Sequence, residues 1–201
     1  MIYISKDTFK KIFLLYMLTQ VEKGIYGEYH FLKFIFLLER QSPIRPFTFK
    51  LYFEGSYSED MIRTKDLLLQ THWITAKDVG KTLAYQAKLP NETKNIIKSI
   101  IENFPELHTS IQEFIKTHAY KTNIKLRKEM YETPEIRKAG FNEVILEENL
   151  PERIKITNLK DEDIEDLQLG MDSNFLKDLE CRMSLTGKSP HDEWRTVLAN
   201  L

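Results

Sequence analysis

Cysteine is almost missing from this chain: Cys181 is the single one in 201 residues. One thiol can form neither an internal disulfide nor a Cys-based zinc cluster, and beyond Arg182 no cation stands near it to activate a thiolate. Such usage fits a reducing compartment. Long hydrophobic runs are missing too. The longest uncharged apolar stretch, Ile12 to Gln20, falls short of the roughly 20 residues that a spanning helix needs. Lys10 and Lys11 interrupt the first apolar segment and no small-residue cleavage site follows, so no signal peptide is expected. The chain therefore reads as soluble and cytoplasmic, without membrane contact. Neither an internal repeat nor a low-complexity tract is present.

Catalytic signatures are equally scarce. G-x-S-x-G, P-loop and G-x-G-x-x-G patterns do not occur. The five histidines, His30, His72, His108, His118 and His191, show no metal-ligand spacing with Cys181 or with one another. His191-Asp192-Glu193 are consecutive and do not converge on one ion in a helix. An all-helical ribonuclease of the toxin type needs an Arg and a His close together on one helix. Here the nearest pairs, Arg63 with His72 and Arg182 with His191, are separated by eight residues. We expect no enzymatic activity, no catalytic residue, no metal site and no cofactor.

What the chain does contain is large apolar side chains: 42% hydrophobic residues, with 12 Phe and 9 Tyr, enough to build a core and to argue against disorder. Phe9, Ile12, Phe13, Tyr16 and Met17 recur at helical spacing after Asp7, which predicts a first helix capped at or near Asp7 and stopped at Lys23-Gly24. Phe31 to Leu38 predict a second, ending before Ser42-Pro43. Phe47 to Phe53 read as a short aromatic strand, and Gly55 as the turn. Ser58 with Glu59 and Asp60 then marks the start of a third helix. In it Met61, Ile62, Leu68 and Leu69 point inward, opposite Glu59, Arg63, Asp66 and Gln70. Trp73 to Lys88 read as a β-ribbon, or as a strand followed by the start of a helix, with Asp78-Val79-Gly80-Lys81 holding the turn. Helices are expected from Asn91, and from Ser110 through Lys128, with a last short one after Thr133-Pro134. The large members of the inward faces, Phe36, Leu38, Phe53, Leu68 and Trp73, should form the core.

The residues Phe31-Leu32-Lys33-Phe34-Ile35-Phe36-Leu37-Leu38-Glu39, then Phe49 through Met61 with Gly55 and Ser58 at its turn, then a leucine-rich helix closed by Trp73-Ile74, together form a pattern. This pattern resembles the YwgA-like winged-helix proteins and, more loosely, the SocA-type (Panacea) antitoxin domains. Ala76-Lys77-Asp78-Val79-Gly80-Lys81 is similar to the T-x-x-G-K that follows in them. The likeness spans residues 5 to 130. Ser56 stands where the family has proline, and His72-Trp73 replaces its small-residue turn. The resemblance implies a regulator or antitoxin that binds macromolecules.

Charge is unevenly spread. Residues 1–140 hold 22 Lys and Arg against 16 Asp and Glu, whereas residues 141–201 hold 7 against 14. That split suits contact of the basic part with nucleic acid, or docking of the acidic part on a basic surface, as well as ordinary solvated faces. In a winged helix the third helix enters the major groove and the wing touches phosphate, which nominates Arg63, Lys65, Lys77 and Lys81. A second basic stripe is expected at Lys121, Lys125 and Lys128. In the acidic tail Phe175, Leu176, Leu179 and Trp194 are the candidate anchors for a partner protein, with the segment from residue 160 to 180 expected to dock on the Lys121, Lys125 and Lys128 face or on a partner. Tyr52, Phe53, Tyr57 and Trp73 read as core around the turn or as a stacking platform.

The expected architecture is α+β and mostly helical: a winged helix-turn-helix-like domain with trailing helices over residues 1–140, and an acidic C-terminal extension over 141–201. The expected function is a non-enzymatic antitoxin-like or transcription-regulatory factor binding duplex DNA, a toxin or another protein partner. The alternative is a protein-protein adaptor or structural component, as in a phage or defence assembly, with no nucleic-acid contact. The oligomeric state stays open, a dimer included.

Overall fold

In the computed structural model, which describes residues 2–172 together with Asn174 and Lys177, Ser5 ends the strand β1 (Ile2–Ser5) and caps the helix α1 (Lys6–Gln20). The Thr8 amide donates to the Ser5 hydroxyl at 3.1 Å, so the cap falls two residues before Asp7. Ile12 to Leu18 are buried without interruption, which makes α1 a central helix with no solvent face along that stretch. After β2 (Ile25–Tyr26), α2 (Glu28–Gln41) is buried in the same way from Phe31 to Glu39. Everything else is arranged around these two.

The strands β3 (Phe49–Tyr52) and β4 (Gly55–Tyr57) form a hairpin. Gly55 takes φ +110°, and a Cβ there would run into the Met130 side chain, so glycine is required twice over. Ser58 then accepts from the Met61 amide at 3.3 Å and opens α3 (Glu59–Gln70). The hairpin β5 (Ile74–Asp78) and β6 (Leu83–Ala87) follows directly, with β2 as the third strand on the β6 side. The turn closes through Val79 N–H to Thr82 O at 2.9 Å.

Four helices come next: α4 (Asn91–Glu102), α5 (Pro105–His118), α6 (Asn123–Glu132) and α7 (Pro134–Lys138). Here the sequence expectation fails in one place. The helix drawn from Ser110 through Lys128 begins earlier, at Pro105, and breaks at Ala119–Thr122, where Thr122 caps a new helix by accepting from the Lys125 amide at 3.4 Å. Lys121 consequently lies in a corner rather than on a shared stripe with Lys125 and Lys128. Residues past 140 are threaded back through the fold. The strand β7 (Val144–Leu146) pairs with β3, and β8 (Arg153–Ile156) pairs with β1, register Ile2 to Ile156. A final helix, α8 (Asp161–Gly170), buries Ile164 and Leu167.

The class is α+β, with eight helices among the described residues, none of them long and apolar enough to cross a membrane. Phe36, Leu38 and Leu68 are fully buried and Trp73 is half-buried. Phe53 is a correction. It is 77% exposed, because it sits at the tip of the β3–β4 hairpin, where no further layer covers it.

Among the described residues four charged side chains lie inside the fold: Lys10, Lys33, Lys65 and Glu39. Lys10 bonds to Asp60 and to Glu148 (2.6 Å). Lys65 bonds to Glu28 and to Asp66 (3.0 Å). Glu39 is fully buried on α2. Its Oε2 accepts from the Phe47 amide at 3.1 Å, while Oε1 has no partner among the described residues. Burial drives the Glu39 carboxyl well above the usual carboxylate range, against the pull of the Phe47 amide and of Lys10. A carboxyl whose pKa is raised by folding holds its proton preferentially in the folded state, so stability is lost as pH rises from the unfolded value, about 4.3, toward the folded one. Glu39→Gln keeps an acceptor for Phe47 and removes the titration. Thermal melts over that rise should therefore show wild type losing ground steadily to Glu39→Gln; parallel curves would refute a titrating Glu39.

Candidate functional site

The helix α3 and the β5–β6 hairpin present three of the four expected DNA contacts to solvent. Arg63 is exposed and lies 3.3 Å from Asp60 on the preceding turn. Lys77 and Lys81 are exposed on the hairpin. Lys65 does not belong with them. Its side chain is 3% exposed, pairs with Glu28 and Asp66, and lies 5.1 Å from the centre of the Tyr85 ring. Burial pulls its pKa down, but the hydrogen bonds it donates to Glu28 and Asp66 outweigh that and leave it raised. Met61, Thr64, Lys65 and Leu68 share the buried stripe of the helix, so the position of Lys65, four after Met61 and three before Leu68, carried the signal for burial. With Lys65 removed, the outer face of α3 offers Glu59, Asp66, Gln70 and a partly neutralised Arg63.

The second basic stripe also comes apart. Lys121 is held by Glu129 at 2.6 Å, Lys128 lies 4.0 Å from Glu132, and Lys125 is exposed. Behind Lys121, His118 stacks on Phe114 with ring centroids 4.0 Å apart and reaches Glu129 through Nε2 at 3.1 Å. Burial, helped by Lys121, lowers the His118 pKa. Among the described residues no three His, Cys, Asp or Glu converge on a metal-sized site.

The described part of the acidic segment, residues 161–172, seats elsewhere than on the Lys121, Lys125 and Lys128 face. Gly170 O accepts from the Trp73 indole at 2.7 Å and Met171 O from Lys11 at 3.1 Å, with Met171 buried beside them. It thus docks by backbone carbonyls and apolar side chains at the root of the β5–β6 hairpin, while Asp161, Glu162 and Glu165 stay in water. Phe175, Leu176, Leu179 and Trp194, with Cys181, lie outside the described residues.

Two surfaces stand out from this background. The first is aromatic. Trp73 leaves the group read from the sequence, and Phe141 takes its place: Asn142 N–H to Leu51 O (2.7 Å) and Leu51 N–H to Glu143 O (2.9 Å) fix the bend that carries it. Phe141 lies 4.6 Å from Phe53 and 5.0 Å from Tyr52, and Tyr57 lies 5.3 Å from Tyr52. Tyr52, Phe53 and Phe141 are 44%, 77% and 56% exposed. The second is a cleft of about 490 Å³ between β2, the start of α2 and the α5–α6 corner, lined among others by Lys23, Tyr26, His30, Tyr120, Lys121 and Asn123.

No family model, curated protein or solved structure matches this chain.

Proposed function

We propose that the chain is a non-enzymatic macromolecule-binding protein of the winged-helix kind, antitoxin-like or regulatory, and that its principal partner is a protein held by the aromatic surface of the β3–β4 hairpin. The observation that carries this reading is the contiguous exposed group Tyr52, Phe53 and Phe141, with the half-buried Tyr57 beside Tyr52. Aromatic side chains are enriched at protein interfaces and dominate their energetics, and exposed clusters of them mark contact sites. The mixed charge of α3 supports the same choice, since affinity for duplex DNA comes largely from neutralising phosphates and exposed acids oppose it.

Cross-linked affinity capture from cells, with wild-type bait and with Phe53→Ser/Phe141→Ser bait, tests the proposal. One partner or a small set should be recovered by wild type and depleted at least about tenfold by the variant, the loss of a single interface hot spot. Identical recoveries would sink it.

A second reading, duplex DNA held by the wing, is favoured by one observation: Lys77 and Lys81 are exposed on the β5–β6 hairpin. Mobility shifts at about 50 mM salt should then give a complex that weakens steeply by about 200 mM and is reduced by Lys77→Glu/Lys81→Glu. No shift at the lower salt removes this reading and leaves the protein-adaptor role.

A further inference from the structure

The cleft beside β2 collects positive charge without any acid of its own. Lys23 and Lys121 are its only charged lining residues. Lys23 is exposed and pairs with no carboxylate among the described residues, whereas Lys121 shares Glu129 with His118. The α6 helix starts on this wall. Thr122 satisfies the amides of Lys125 and Leu126 through its hydroxyl and its carbonyl. The amides of Asn123 and Ile124, ahead of them, are of the kind a helix leaves open to an anion.

A third lysine stands behind that helix start. Lys33 is 2% exposed; its ammonium donates to Asn123 Oδ1 at 3.2 Å and lies 5.7 Å from the centre of the Tyr29 ring. No carboxylate bonds to it among the described residues. Burial lowers its pKa and the nearby Arg127 lowers it further, and the charge of Glu54, which raises it, does not offset them. A buried ammonium without a counter-ion is costly, and an anion at the Asn123 wall would relieve that cost. Lys65 and Lys10, the other buried lysines, each have two acids. Lys33 is the exception.

The walls are aromatic as well as basic. Tyr26 is 40% exposed and Tyr120 75%, and both line the cleft. Unlike Tyr52, Phe53 and Phe141, neither packs on another ring among the described residues. His30, its pKa lowered by burial and by Lys33, presents a neutral imidazole that can donate or accept a hydrogen bond. A volume of about 490 Å³ lies within the range of small-molecule sites, and it is more than an inorganic anion needs.

We propose that this cleft binds a nucleotide, with the phosphate at the start of α6 beside Lys23 and Lys121 and the base against the Tyr26 and Tyr120 rings. The recognising chemistry is a phosphate monoester joined to a planar base, supplied either by a free nucleotide or by the 5′ end of a single strand. The site is separate from the aromatic hairpin surface, so its fate and that of the protein-binding reading are decided by different experiments.

Calorimetric titration of the full chain with adenosine 5′-monophosphate, adenosine, inorganic phosphate, and a short single strand with and without a 5′-phosphate provides the test. The nucleotide should bind with a Kd between about 10 µM and 1 mM, tighter than adenosine or phosphate. Tyr120→Ala should weaken it about tenfold, the value of one stacked base. Lys23→Glu should weaken it at least as much, since it reverses the free cation, and Lys128→Glu should leave it unchanged. All three side chains are exposed, and unchanged melting curves verify the fold. Competition by the phosphorylated strand assigns the ligand to a strand end, and competition by none of the strands assigns it to the free nucleotide; both uphold the site. No binding up to about 5 mM nucleotide, phosphate binding as tightly as the nucleotide, or indifference to both Lys23→Glu and Tyr120→Ala overturns it.

Discussion

Truncation of Phe36 to Ala is expected to cost about 3–5 kcal/mol, while truncation of the exposed Phe53 costs about 1 kcal/mol or less, the value of a ring contact at a surface. Phe36 is fully buried on the central helix α2 and meets Phe49 of β3 edge-on, with centroids 5.6 Å apart. Removing it deletes the helix-to-hairpin contact and leaves a void that close-packed neighbours only partly fill. Phe53 is 77% exposed and loses contacts only with Tyr52 and Phe141. Urea denaturation measures both. A Phe53 variant as damaged as the Phe36 variant would mean that the hairpin tip is covered, and the protein-binding surface would vanish with it.

The second large effect is expected at Lys10. Its side chain is 4% exposed and ties α1 to Asp60 at the start of α3 and to Glu148 between β7 and β8. Burial alone would lower its pKa, but the bonds to Asp60 and Glu148 raise it instead. A lysine raised in this way contributes its full stability below its unfolded pKa, about 10.4, and loses it only as pH climbs through the folded value. At neutral pH the whole contribution is present. Lys10→Met keeps the stem and takes the buried cation from Asp60 and Glu148, leaving them to the more exposed Arg63 and Lys6, a loss of about 3 kcal/mol. The loss should shrink in acid, because a protonated carboxyl needs no cation. Denaturation of Lys10→Met against the exposed control Lys50→Met, at neutral and acid pH, checks both statements. A Lys10 variant as stable as the control would show that the buried lysine is replaceable by any apolar stem.

Local features of the fold were legible in the sequence because short-range chemistry sets them. Ser58 ahead of two acids marked the start of α3, and the strand-like residues around Asp78–Lys81 marked the β5–β6 hairpin; both depend on neighbours in the chain. What could not be read depends on distant partners. Lys65 falls on the Met61–Leu68 stripe, which marks it for burial, but its partner Glu28, far away in sequence, could not be read. Phe53 has the aromatic character of a core strand residue, and its exposure is decided by what does not cover the hairpin tip. The break at Ala119–Thr122 contains no glycine or proline, and Thr122 is its single local mark. Phe141 joined the aromatic surface through the bend at Asn142, whose φ of +64° bonds back to β3. Of the cleft, the sequence offered only scattered tyrosines and lysines, since its walls come from three separate segments.

The pairing of β1 with β8 sets the order in which this chain can be completed. Ile2 to Ser5 are synthesised well before their partners, Arg153 to Ile156, which emerge only after the helices and hairpins between them. Until then Ile4, 1% exposed in the finished fold, has no strand beside it. Contacts between segments so far apart in sequence form slowly, because the intervening chain must be ordered first. A nascent chain stalled before residue 153 therefore carries an unpaired apolar edge, the kind of strand that recruits other chains.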